Sequence, residues 1–73
     1  MIKTPNKDVA DAANAALAKS SVRELRMIRV DRSNNDLQLT GSVRSFYHKQ
    51  LAQEAVRSVA CGLRVINRVD VAS

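Results

Sequence analysis

Aromatic side chains are almost missing from this sequence. It has no tryptophan, one phenylalanine (Phe46) and one tyrosine (Tyr47), so aromatics make up 3% of the chain. A sheet that reads RNA presents rings on its open face for bases to stack on, and no strand-like segment here carries one. A nucleic-acid role would therefore rest on charge alone. The single cysteine, Cys61, cannot close an internal disulfide and stands in no metal-ligand spacing, so it is read as a small buried filler. The single histidine, His48, has no nucleophile or carboxylate spaced to work with it, and no glycine-rich phosphate loop is present. Catalytic residues, metal ligands and cofactors are therefore not expected. No apolar run approaches the roughly 20 residues of a membrane span. Lys3 and Lys7 ahead of "NAALA" outline a secretory leader, but Asp8 and Asp11 interrupt its core, and no export signal is read. Internal repeats, low-complexity tracts and linkers are also lacking.

What remains is one small domain at most, spanning residues 1–73. A chain of this length buries only roughly 60–65% of the surface its unfolded form exposes, so support from a second copy or a larger host chain is expected. Hydrophobic residues at 45% and charged residues at 26% are a globular balance. The net charge of +5 suits phospholipid headgroups, nucleic acid or acidic proteins, and serves solubility equally well.

"TPNKDVADAANAALAKSS" reads as a helix capped by Thr4 or Asn6, with Asp8 and Asp11 in its early turns. Val9, Ala12, Ala13, Ala16 and Leu17 give it a thin, small-residue face suited to close packing on a sheet. Val22, Leu25 and Ile28 are three apart, which allows a helix. The alternation of Ile28 with Val30, and the turn cluster "RSNND", favour a hairpin with strands over about 25–31 and about 36–43. Asn34 or Asn35 supplies the left-handed turn residue. Ser45 caps a second helix running to about Cys61, with Gly62 as its left-handed stop. Its buried side is His48, Leu51, Ala52, Ala55, Val56 and Val59, with His48 structural. Its opposite side is Phe46, Lys49, Gln50, Gln53 and Arg57. "LRVINRVDVAS" alternates as a third strand. The expected fold is α+β, a two-layer sandwich in αββαβ order. Its three-stranded sheet buries Ile28, Val30, Leu37, Leu39, Val69 and Val71 under two helices on one face.

The stretch "NNDLQLTGSV…QLAQEAVRSVACGLRVINRVDV" resembles the BON domain, a small bacterial module. Leu37, Leu39, Gly41 and Val43 match the family's strand, and Ala52 and Ala55 its helix. Gly62 and Leu63 match its glycine–aliphatic pair, and Val65, Asn67, Val69 and Val71 its last strand. The resemblance implies an αββαβ fold, no catalysis, and association with phospholipid membranes or envelope assemblies. It also implies a periplasmic setting, whereas a complete chain without an export signal would be cytoplasmic. The family pattern consists of core positions and transfers no binding residue.

The residues leave one place that invites a ligand. At the start of the second helix, unpaired N–H groups and the positive dipole end favour an anion. Arg44, Ser45 and Lys49 surround it, Phe46 projects beside them, and Arg57 lies further along the same side. Phe46 then either inserts shallowly into a membrane while the cations hold phosphate, or folds back onto the sheet's rim. The open sheet face should show Arg29, Asp31, Gln38, Thr40, Ile66, Arg68 and Asp70, together with Met27. Arg23, Arg26, Arg29 and Arg32 are read as a solvated series. The strand edges look uncovered, and Met27 and Ile66 would add to pairing with a second copy. The first functional expectation is a non-enzymatic module on an anionic phospholipid surface or envelope protein. The second is a self-assembling structural or protein-interaction domain, and an electrostatic nucleic-acid binder comes third.

Overall fold

The computed structural model describes residues 5–72. Helix α1 spans Pro5–Ala18. Proline suits a first helical position, where its missing N–H has no acceptor to lose. Asn6 therefore lies inside the helix and does not cap it, while Thr4 lies outside the described residues. Val9, Ala13 and Leu17 are buried at steps of four. Ala16 is half-buried and Ala12, expected on the same face, is exposed, so α1 meets the core along a line narrower than its alanine content suggests.

The segment after α1 departs from the expected strand. Arg23–Met27 forms a short 3-10 helix, η1, and strand β1 occupies only Arg29–Ser33. The three-residue spacing of Val22, Leu25 and Ile28 is the period of a 3-10 turn. Its bonds run from Leu25 N–H to the Val22 carbonyl at 3.1 Å and from Ile28 N–H to the Leu25 carbonyl at 3.2 Å. Leu25 and Ile28 are buried by it, and Met27 belongs to η1 rather than to the sheet. The arginine series is solvated apart from a half-buried Arg32.

Strand β2, Asp36–Thr40, pairs antiparallel with β1, setting Val30 opposite Leu39. Asn34 takes the left-handed turn conformation, with φ 54°. The expected second strand breaks at Gly41, and β3 is only Ser42–Val43. Gly41 has φ +139°, and a Cβ there would stand 3.3 Å from the Ile28 Cα and 3.4 Å from the Met27 carbonyl oxygen. Backbone conformation and space both require glycine at this position.

Helix α2 spans Phe46–Arg57, four residues short of the expected end. Its last turn tightens, with Val59 N–H bonding to the Val56 carbonyl and Ala60 N–H to the Arg57 carbonyl. Two left-handed residues, Cys61 at φ 51° and Gly62 at φ 84°, then turn the chain. Cys61 is exposed at this corner, not a buried filler.

The third expected strand is also split, into β4 (Arg64–Asn67, parallel to β2) and β5 (Asp70–Val71, parallel to β3). The two breaks lie side by side. Leu39 pairs with Asn67 before them and Ser42 with Asp70 after them, at an unchanged offset. Arg68 N–H to the Leu39 carbonyl and Asp70 N–H to the Gly41 carbonyl, both 2.9 Å, carry the ladder across. A single parallel ladder thus kinks once, and the main sheet has the order β1-β2-β4.

Val30, Leu37, Leu39, Val43 and Val69 form one core with Ala13 and Leu17 of α1 and Ala52 and Val56 of α2. α1 packs on β1, α2 on β4, and the helices touch each other. The architecture is the expected α+β sandwich with αββαβ order, plus η1. Val71, expected in the core, is 39% exposed, because β5 has only two residues at the end of the ladder. The β1 edge is not bare. Asn14 Nδ2 donates to the Val30 carbonyl at 2.8 Å, and Val30 N–H donates to Asn14 Oδ1 at 2.9 Å. A side-chain amide stands where a neighbouring strand would be.

Candidate functional site

The start of α2 is built by its cap. Ser45 is extended, and its hydroxyl accepts the His48 N–H at 3.1 Å, the expected arrangement for a helix N-terminus. Ser45 is thus occupied with its own helix. The N–H groups of Phe46 and Tyr47 have no intrahelical acceptor.

A carboxylate of the same chain already faces this end. Glu24 of η1 accepts the Arg44 N–H on Oε1 at 2.7 Å. The same oxygen lies 3.2 Å from His48 Nδ1, at ion-pair distance but out of line for a hydrogen bond, so Nδ1 is buried without a hydrogen-bond partner. Glu24 therefore complements the positive end of the α2 dipole from within the fold. Sequence reading gave Glu24 no such role, because its partners lie about twenty positions away and share no periodicity with it.

Outside this inner contact lies an exposed stripe. Phe46 is 71% exposed and Tyr47 67%. The Phe46 ring therefore does not fold back onto the core, and the Lys49 ammonium stands 5.8 Å from its centroid, within cation–π range. The Tyr47 ring tilts toward His48 at 5.8 Å. Arg57 is exposed two turns beyond Gln50 on the same side.

Two hollows lie between this stripe and β4, and they meet at Gln53. One, of about 210 Å³, is lined by Phe46, Lys49, Gln50 and Asn67. The other, of about 460 Å³, is lined by Arg57, Leu63, Arg64 and Val65 among others. Among the described residues no Asp or Glu side chain lines either hollow. Asn67 fastens the wall between them: Nδ2 donates to the Lys49 carbonyl at 2.9 Å and to Gln53 Oε1 at 3.3 Å, and Oδ1 accepts the Val69 N–H at 3.1 Å. The signal for this was a polar residue at an inward-facing position of an alternating strand.

Phe46, Lys49 and Arg57 are brought onto one side of α2. Arg44 lies around the cap, beside a third hollow that it shares with Met27, Arg23 and Ala72. Met27 is 73% exposed there, whereas Ile66 is half-buried on the open sheet face opposite Gln38, so these two apolar residues sit on different elements. The open face is otherwise polar, with Arg64 Nε 3.2 Å from Asp36 Oδ1. Among the described residues no helix is long and apolar enough to cross a membrane, and no group of three His, Cys, Asp or Glu side chains is placed to hold a metal.

Comparison with known proteins agrees with this architecture. The family profile of the BON domain matches residues 5–73, nearly the whole chain. No curated protein matches the chain with significance. The chain belongs to the BON domain family, whose members are non-catalytic, binding-type domains associated with phospholipid or the cell envelope.

Proposed function

We propose that this BON domain attaches to anionic phospholipid surfaces through the outer side of the α2 start. The observation that carries the reading is the solvent-exposed Phe46 ring at the first residue of α2, with the Lys49 ammonium beside it. A ring held out of the core and flanked by cations has the amphipathic form that settles at a headgroup boundary. Glu24 already complements the helix end, so phosphates meet the side chains of Arg44, Lys49 and Arg57 rather than the dipole. Each basic residue close to an anionic surface adds about 1 kcal/mol, and partial burial of one phenyl ring adds a similar order. The sum is weak, reversible attachment, suited to a module acting in several copies or beside another anchor.

Self-association through Met27 and Ile66 has less support, since Met27 sits on η1 and Ile66, on β4, is half-buried. Electrostatic nucleic-acid binding is favoured only by net charge.

The test is co-sedimentation with vesicles rich in anionic lipid. The Phe46→Ala, Lys49→Gln double variant is expected to melt as the parent does and to lose vesicle binding. Binding that survives this change, or ignores lipid charge, removes the α2 start as the contact. Duplex DNA titrated at several salt concentrations checks the electrostatic alternative.

A further inference from the structure

Strand β4 ends the main sheet, and its hydrogen bonds show which way its backbone faces. Arg64 N–H reaches the Asn35 carbonyl at 3.1 Å and Arg68 N–H the Leu39 carbonyl at 2.9 Å, so the even-numbered residues point into the sheet. In a parallel ladder the N–H and C=O of one residue share a side and successive residues alternate. The N–H and C=O groups of Val65 and Asn67 therefore point outward. Among the described residues no hydrogen bond reaches either of these N–H groups. The β1 edge is filled at Val30 by Asn14, and nothing equivalent stands at β4.

This free edge runs beside the two joined hollows and under the outer stripe of α2. A helix wall alongside an open sheet edge is the setting in which an extended peptide adds as one more strand. We infer that the groove between α2 and the β4 edge binds an extended, acidic peptide segment by strand addition. Main-chain bonds to Val65 and Asn67 would supply the attachment, and charge sets the occupant. A strand added here alternates its side chains between two sides. On the helix side it meets Lys49 and Arg57, and on the open-face side Arg68 and Arg64, whose Nε already stands 3.2 Å from Asp36 Oδ1. Among the described residues no acidic side chain lines the groove, and β4 itself carries none. Cross-strand neighbours of opposite charge stabilise pairing, and like charges oppose it. A second copy laid edge to edge on β4 would set this cationic strand against itself, so an acidic segment is the occupant the surface fits. The inference rests on the sheet edge and needs no lipid, although its groove shares Lys49 and Arg57 with the proposed membrane contact.

The experiment uses a fluorescent octapeptide of alternating glutamate and valine, without lipid, read by polarisation and by amide NMR shifts. The parent chain is expected to bind it, with the largest shifts at Val65 and Asn67. Three changes should each weaken binding at least tenfold: N-methylation of alternate peptide bonds, replacement of glutamate by lysine in the peptide, and Val65→Pro. Val65→Pro removes an outward N–H, a change that edge strands tolerate, but it also alters a side chain packed against the core. The N-methylated peptide therefore tests the same bond on the unaltered protein. The inference is overturned if the peptide does not bind or if N-methylation leaves affinity unchanged. It is also overturned if the β4 amides are already protected by dimerisation before peptide is added.

Discussion

Asn14 shows how much one side chain decides here. Val30 lies opposite Leu39 in the ladder, yet both of its backbone polar groups are taken by the Asn14 amide on the far side. A buried or half-buried N–H and C=O that lose their partners cost more than the bonds were worth, because water cannot fully replace them. Asn14→Ala is therefore expected to lower stability by about 1–3 kcal/mol. The midpoint of urea unfolding measures this, and an unchanged midpoint would show that the amide bridge contributes nothing. None of this was legible in the sequence, where Asn14 is simply a polar residue in a run of alanines. The same holds for Glu24, which also bonds to residues distant in the chain. Asn67 did leave a signal, as a polar residue at an inward position of an alternating strand. Ser45 is the contrast. Its partner lies three residues on, and local partners are what a sequence displays.

Elements were legible where one period persisted and misjudged where the chain changes direction within a run. The alternation of Leu37 and Leu39 gave strand β2 and its inward face, and both residues are fully buried. What alternation did not show was the kink at Gly41. The apolar pattern continues through Val43 although the backbone breaks, because the ladder resumes at the same offset on the far side. In the same way the arginines and the three-residue spacing around Leu25 fit a strand loosely and a 3-10 turn better. The register of β2 makes a sharp prediction. Leu39→Ala opens a cavity in the core and should cost about 2–5 kcal/mol. Gln38→Ala removes a half-buried polar side chain from the open face and should shift the melting temperature little. Equal losses in the two variants would contradict the observed facing of the strand.

At the scale of the whole molecule, the net charge of +5 acts on every association, and its sign depends on the partner. Attachment to an anionic surface gathers opposite charges, so it weakens as salt screens them. Association of two copies gathers like charges, and the open face that would pair carries Arg29, Arg64 and Arg68 against Asp31, Asp36 and Asp70. Raising salt from about 0.01 M to about 0.1 M shortens the screening length from about 30 Å to about 10 Å. That change spans the distances over which exposed side chains on a domain of this size feel one another. Vesicle-bound protein is therefore expected to fall over this range, while any self-association seen by sedimentation equilibrium should stay level or rise. The two responses separate the membrane reading from the assembly reading on one preparation, without a variant that must first be shown to fold. Vesicle binding that holds constant across the range would remove the α2 start, Phe46 included, as the contact. It would leave Lys49 and Arg57 as solubilising surface.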